Sequence, residues 1–503
     1  MEKVLLIGAG SAGKKVFVEL KSKNKYEILG FLDKDKSKFG KNIDGLMVLG
    51  SYEYINEFVK NMNIDKVIIT STMISSEEIN KIKNQLKNVE VVVEHLPDIE
   101  ELDMNKEFSN QLRKNNIPLS VPNLEVEPIL ENLKECLESG WVSTGGRFIT
   151  EFENKLSKYV GVKEAVGVQS GTAGLHVCLR VLGVQPGDEV IAPTLTFIAA
   201  VNPITYQGAE PVFIGCDDSL CMDPVKLEEF CENSCEMLDG ILYNKKTKKA
   251  IRVLVVVHVF GNIANMEAIM AIAEKYNLKV LEDSTEALGS YYISGKYKGK
   301  FAGTIGHMGV YSFNANKIIT TGGGGMVVSD NKSLLNEVRF LTTQAKTDQL
   351  YFIHDEIGYN YRMLNLQAAL GTEQIDSLEK FISTKEKNYN RYKESISKIE
   401  GLSLLPFNNN IRANYWFYSV VVDKEKYGLN KDELLRKLVD ESIQTRPIWG
   451  LIHQQKPYLS HEVYGVEKAI WYYDRILNIP CSSNLKEEEV KIVIEKLENF
   501  RKG

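Results

Sequence analysis

Residues 309–325 read Gly309-Val310-Tyr311-Ser312-Phe313-Asn314-Ala315-Asn316-Lys317-Ile318-Ile319-Thr320-Thr321-Gly322-Gly323-Gly324-Gly325. Gly309 to Ser312 is a mostly apolar run of strand length, Lys317 follows it, and the glycines then let the backbone pass close to a bound ligand. A lysine after a strand is weak on its own, because most lysines are solvated surface. Working outward, runs of the same kind recur at Ala165 to Val168, Glu189 to Ala192, Val253 to Val257 and Val280 to Glu282. Such short apolar runs predict an α/β unit whose strands are covered on both faces.

Upstream, strand-like runs at Lys3 to Ile7, Ile28 to Leu32, Lys66 to Thr70 and Val89 to Val93 alternate with helical stretches. That βαβ pattern predicts a separate parallel sheet. The polar stretch Asn105 to Asn116, with Pro118 and Pro122 beyond it, breaks the alternation and reads as a linker. Downstream of Gln367 the chain turns helical and charged, then gives a strand-like run at Tyr415 to Val422 and a last helix at Lys486 to Phe500. The expected domains are therefore 1–115, 117–370 and 371–503, in line with roughly 150 residues per domain for a chain of 503. No internal repeat is apparent.

A charged fraction of 25%, a hydrophobic fraction of 44% and a net charge of -6 carry no polyanion-binding footprint, so nucleic acid is not an expected partner. No run of about 18 apolar residues occurs, so no membrane span is expected. The N-terminus enters a strand-like segment instead of a leader, which places the expected location in the cytoplasm. Seven cysteines are an odd count, and Cys231 and Cys235 lack a second pair at zinc-ligand spacing. They are expected to be free thiols, and no metal site is expected.

Three features join Lys317. Asp283 ends the run Lys279-Val280-Leu281-Glu282, and an acid at the carboxyl end of a parallel strand points into the crevice where α/β sheets bind ligands. A helix N-cap in Asp283-Ser284-Thr285-Glu286 is the competing reading. Ser170-Gly171-Thr172-Ala173-Gly174 lies between a strand and an apolar helix, where unpaired N–H groups and the helix dipole favour an anion. Phe197 follows the run Glu189 to Ala192 and is available to stack on a flat ring, or equally to fill a core. His258, at another strand end, reads as a hydrogen-bonded structural residue. Together these supply what pyridoxal phosphate (PLP) chemistry requires: an amine for a Schiff base, a carboxylate for the pyridine nitrogen, and a phosphate site.

In order and spacing these motifs resemble the DegT-type (DegT/DnrJ/StrS) nucleotide-sugar aminotransferases, a branch of the fold type I PLP enzymes. The resemblance covers about 117–502 and rests on Ser170 to Ala173, Pro193 to Phe197, Gly208 to Phe213, Glu282 to Gly289, Ser312 to Lys317 and Gly358-Tyr359-Asn360-Tyr361-Arg362. It implies a large α/β/α domain with a mixed seven-stranded sheet and a small C-terminal α+β domain. It implies that Lys317 is the Schiff-base lysine and acid/base, that Asp283 binds the pyridine nitrogen, and that Phe197 stacks on the ring. Thr172 and Ala173, in the loop begun by Gly171, and Ser312 would hold the phosphate, with Asn360 supplied by the second subunit of a homodimer. Two positions depart from the family's common pattern: Glu286 stands where a glutamine usually meets the ring hydroxyl, and Gly322 to Gly325 replaces Gly-Glu-Gly-Gly.

Within the family, Ile117 to Leu124, Ser139 to Gly146, Cys221-Met222-Asp223-Pro224 and Tyr243 to Thr247 resemble the legionaminic-acid subgroup. This implies transfer of an amino group from L-glutamate to C4 of a UDP- or GDP-linked 2-acetamido-2,6-dideoxy-4-ketohexose. GDP-perosamine-forming enzymes share stretches like Thr445 to Trp449 and are the nearest alternative. Arg446 is the candidate contact for a carboxylate or diphosphate. A catalytically retired sugar-binding protein on the same fold is the reading from a different class, and the presence of both Lys317 and Asp283 argues against it.

In the first segment, Gly8-Ala9-Gly10-Ser11-Ala12-Gly13 follows a strand and opens a helix, and Asp33 ends the next strand. Gly8, Gly10, Gly13 and Asp33 are thus the candidates for a nucleotide or nucleotide-sugar site in a Rossmann-like domain, with a docking module that has lost its ligand as the alternative.

Overall fold

The computed structural model describes residues 2–22, 26–70, 76–87, 89, 91–95 and 116–501. It divides the chain into two compact units, Met1–Asn115 and Asn116–Gly503. The linker-like stretch up to residue 115 lies outside the described residues.

The first unit holds β1 (Glu2–Ile7), β2 (Tyr26–Leu32), β3 (Asn42–Ile43), β4 (Leu46–Gly50), β5 (Lys66–Ile69) and β6 (Val92–His95) in the order β3-β4-β2-β1-β5-β6. All pairs are parallel except the β3–β4 hairpin. The strand expected at Val89 to Val93 begins later, because the Val89 N–H donates to Leu86 and closes the preceding helix. The glycine turn after β1 is tight: a Cβ on Gly13 would lie 1.9 Å from the Gly8 carbonyl oxygen, so no side chain fits there.

The second unit carries a ten-stranded sheet where seven strands were expected. Its strands are β7 (Glu164–Val168), β8 (Glu189–Pro193), β9 (Glu210–Ile214), β10 (Cys235–Leu238), β11 (Ile241–Asn244), β12 (Ala250–Val257), β13 (Lys279–Asp283), then, after a short β14 (Tyr291–Tyr292) outside the sheet, β15 (Met308–Ser312) and β16 (Gly325–Ser329). The continuous run β9-β8-β12-β13-β15-β16-β7 is the expected seven, mixed because β16 is antiparallel to both neighbours. The Tyr243 excursion folds as the β10–β11 hairpin on the start of β12, and β23 (Val463–Tyr464) adds an edge strand beside β9. Val253 to Val257 are buried, as befits a strand near the middle of a sheet covered on both faces.

Two short ribbons pair β17 (Lys346–Asp348) with β18 (Ile353–His354), and β14 with β20 (Ile411–Arg412). A separate four-stranded sheet is built from β19 (Leu402–Leu404), β21 (Tyr418–Val422), β22 (Arg446–Pro447) and β24 (Ile476–Ile479) in the order β19-β21-β24-β22. β21 is three residues shorter than the expected Tyr415 to Val422. Tyr415 has a left-handed φ of 55°, which turns the chain and takes Trp416 and Phe417 out of the strand. All seven cysteines are buried and free. Among the described residues no helix is long and apolar enough to cross a membrane.

Candidate active site

The turns that follow β8, β12, β13 and β15 open onto a cavity of about 770 Å3. Its lining includes Gly171, Thr172, Phe197, Asp283, Glu286, Ser312 and Lys317, seven of the residues singled out from the sequence. Ala173 and Asn360 are not among the lining residues. Ala173 is one step deeper, its N–H donating to Ser170 Oγ at 3.1 Å as part of the helix cap. Asn360 is exposed and bridges to Thr343.

The helix Gly171–Val181 starts against two other elements of the site. A Cβ on Gly171 would stand 2.9 Å from Thr285 Cγ2 and 3.0 Å from Ser312 Cβ, so the missing side chain is what lets the helix start press against them. The result is a helix N-terminus beside Thr172 and Ser312 on the cavity wall, an arrangement that favours a phosphate.

Asp283 ends β13 and is 3% exposed. Its Oδ1 accepts the Thr285 N–H at 3.0 Å, so the capping reading holds for that oxygen while the residue still lines the cavity. Burial raises its pKa, against the opposing effects of the Thr285 hydrogen bonds and the Lys317 charge. A buried carboxylate of this kind is stabilised by a cation brought into the cavity. His258, the residue that follows β12, is wholly buried and structural. Its Nδ1 accepts the Ala264 N–H at 3.2 Å, which leaves the proton on Nε2, 2.8 Å from Glu282 Oε2.

Lys317 sits in the turn after β15 with its side chain 13% exposed. Its Nζ is 3.9 Å from Glu286 Oε1 and 4.0 Å from the centroid of the Trp416 ring. Burial lowers its pKa, partly offset by Glu286 and Asp283; burial raises that of Glu286, whose Oε2 accepts the Phe260 N–H at 2.9 Å. Phe197 is 53% exposed, which excludes the core reading and leaves its ring open at the cavity. Trp449 follows, 6.5 Å from Phe197 and 4.7 Å from Phe260, and Arg446 donates to the Thr445 carbonyl while meeting no carboxylate among the described residues. The sequence reading gave no site role to Trp416, Trp449 or Phe260: Trp449 entered only within the stretch Thr445 to Trp449, Phe260 only as a neighbour of His258 at a strand end, and Trp416 falls inside an apolar run read as strand.

A model of the DegT/DnrJ/EryC1/StrS aminotransferase family matches residues 123–498. The chain belongs to this family. GDP-perosamine synthase of Escherichia coli O157:H7 is 35% identical over 385 residues, covering 76% of this chain and 98% of that one. GDP-perosamine synthase of Caulobacter vibrioides is 33% identical over 366 residues, covering 72% and 93%. The structure of the aminotransferase TlmJ from Streptoalloteichus hindustanus superposes with a TM-score of 0.68 at 27% identity, over 76% of this chain and 98% of that one. A second model, described as C2185-like, N-terminal, matches residues 1–96.

The chain is thus a PLP-dependent aminotransferase of the DegT family, and its second unit has the fold type I architecture. The cavity fits the cofactor on features of its own: a buried carboxylate that a ring N–H would pair, a crowded glycine at a helix start for the phosphate, and a buried amine in the turn after β15. A cavity of this size accommodates the cofactor with room for part of a substrate.

In the N-terminal unit, Asp33 is committed within the protein. Its Oδ2 accepts the Ala9 N–H at 2.8 Å and Lys38 Nζ at 3.0 Å, and its Oδ1 accepts the Asp35 N–H at 2.9 Å. Burial would raise its pKa, but these hydrogen bonds outweigh it and hold the carboxyl below its ordinary value. Asp33 therefore straps the glycine turn to the end of β2.

Proposed function

We propose that the protein moves an amino group from L-glutamate to C4 of a nucleotide-linked 4-keto-6-deoxy sugar. The observation that carries this reading is the placing of Lys317, Asp283 and Arg446 on one cavity, with the Arg446 fork paired to no carboxylate among the described residues and open to an anionic substrate. PLP, when bound, supplies an aldehyde that joins amines and a ring that accepts the electron pair left by a departing proton. Asp283 would pair with the ring nitrogen's proton, Thr172 and Ser312 at the helix start would hold the phosphate, and Phe197 would offer its face to the ring. Lys317 Nζ anchors the cofactor and moves protons, first from Cα of glutamate and later to C4 of the sugar. Glutamate leaves as 2-oxoglutarate, and the ketone at C4 becomes an amine.

For the sugar, we propose a 2-acetamido-2,6-dideoxy-4-ketohexose on UDP or GDP, as expected from the legionaminic-type motifs. A second reading, GDP-linked 4-keto-6-deoxymannose, is favoured by the two GDP-perosamine synthases that match over most of their length. Incubation with glutamate and a panel of UDP- and GDP-linked 4-ketosugars, read by mass spectrometry, distinguishes the two. If no 4-ketosugar gains an amine, the proposed substrate class is wrong.

We further propose a homodimer in which Asn360 reaches the phosphate of the other subunit's site. Its exposure, with that of Leu350, Tyr351 and Phe352 on the neighbouring ribbon, supports this. For the N-terminal unit we propose a nucleotide or nucleotide sugar whose diphosphate meets the turn of Gly8, Gly10 and Gly13, with Asp33 shaping that turn.

A further inference from the structure

Lys317 and Glu286 form a buried ionisable pair with few other charges around it. The carboxyl is fixed by the Phe260 N–H on Oε2, which leaves Oε1 facing Lys317 Nζ at 3.9 Å. That separation is within ion-pair range, and rotation about the Lys317 Cδ–Cε bond is the motion that would shorten it to a hydrogen bond. The other titratable groups facing the pair are Asp283 and the buried Cys221 thiol, while Lys385 shares a narrow void with Lys317 on its far side. The Trp416 face stabilises the ammonium but has no site for its proton.

We infer that Glu286 is the proton partner of Lys317, a carboxyl positioned to take the ammonium's proton whenever the amine has to be neutral. This rests on the reading of Lys317 as the reactive amine. The exchange balances within the pair: Lys317–NH3+ and Glu286–COO− become Lys317–NH2 and Glu286–COOH, and no proton passes to solvent. The lone pair is then free to add to an aldehyde carbon. Burial drives the exchange, because it disfavours the two charged forms together and the neutral pair leaves no charge behind. A glutamine at 286 offers the same hydrogen-bonding shape and cannot do this. Glu286 is a positioning residue in this account, acting through Lys317.

The test reads the amine itself. Full-length protein without added cofactor is labelled with acetic anhydride across pH, and acetylation of Lys317 is quantified by mass spectrometry in the wild type and in Glu286→Gln. The pair titrates as a unit. The wild type should label in two steps, a partial one while the carboxyl holds the shared proton and a full one at higher pH. Glu286→Gln should label in a single step, at least about one pH unit below the wild type's upper step, a tenfold change in proton affinity. Identical single steps in both proteins overturn the inference. A single wild-type step that merely moves down in the variant overturns it too, since that describes an ion pair that never exchanges its proton.

If Glu286→Gln does not fold, the coupling is read from the other side. Removal of the ammonium in Lys317→Met should raise the protonation midpoint of a buried carboxyl seen by infrared difference spectroscopy, by an amount reciprocal to the effect on the amine. An unmoved carboxyl overturns the inference. Addition of PLP with borohydride to the same samples tests the cofactor reading separately: no reduced adduct in the wild type contradicts that reading while the labelling curves still decide the pair.

Discussion

Lys317 Nζ lies 4.0 Å from the centre of the Trp416 ring, and the Trp416 Nε1 donates to the Asn316 carbonyl at 2.8 Å, so the indole holds both the lysine head and the backbone beside it. A desolvated ammonium over an indole is stabilised by about 2 kcal/mol. Replacing Trp416 with leucine removes the ring and the donor together. The expected outcome is a fall in kcat of about tenfold or more, because the amine and the backbone beside it lose the ring that positions them, with the protein still folded. A variant with unchanged kcat shows that the indole does not position the amine.

Glu282 presents a contrasting case, a buried acid beside the site with a purely structural task. It accepts from the Gly303, Ile305 and Gly306 N–H groups and from His258. Removing one member of a buried charged network costs about 3–5 kcal/mol. Glu282→Ala should therefore lower the unfolding free energy by an amount of that order, seen as a lower midpoint of denaturant unfolding. A variant that unfolds at the wild-type midpoint contradicts this assignment.

Much of this architecture is legible in the amino-acid order because its cause is local. Val253 to Val257 are apolar at every position since both faces of β12 are covered, and the lysine, acid and small-residue turns follow such strands directly. The rest depends on partners distant in sequence. The left-handed Tyr415 carries no glycine to announce it, so the apolar run from 415 to 422 reads as one strand and hides Trp416. β23 is two residues long and exists only because β9 offers an edge. Asp33 has the position of a ribose ligand, yet only the folded turn reveals that the Ala9 N–H reaches it first. The seven expected strands became ten because a surface hairpin and an edge strand leave no periodic signal of their own.

Lys385 is a buried lysine whose hydrogen-bond acceptor is the Cys481 carbonyl, and burial lowers its pKa. The unfolded chain binds a proton at this lysine up to its ordinary value near 10.5, whereas the folded chain releases it earlier. Between the lowered and the ordinary value the unfolded state holds more protons, so this residue's contribution to stability rises with pH. The difference in unfolding free energy between wild type and Lys385→Met should therefore shift in favour of the wild type from neutral pH toward 10, as read by denaturant titration. A difference that stays constant over that range contradicts it.

A shared site predicts complementation. Lys317→Ala and Asn360→Ala should each be impaired alone, but mixing the two under exchange conditions should restore activity. A heterodimer of the two variants places both defects in one site and leaves the other intact. No gain over the separate variants places Asn360 outside the second subunit's site.

The central claim is that Lys317 holds the cofactor, and borohydride reduction of the full-length protein loaded with PLP tests it most directly. The account predicts a visible absorbance band that reduction removes, with a phosphopyridoxyl group found on Lys317 in the peptide map and missing from Lys317→Ala. A reduced adduct on another lysine, or none at all, would contradict it.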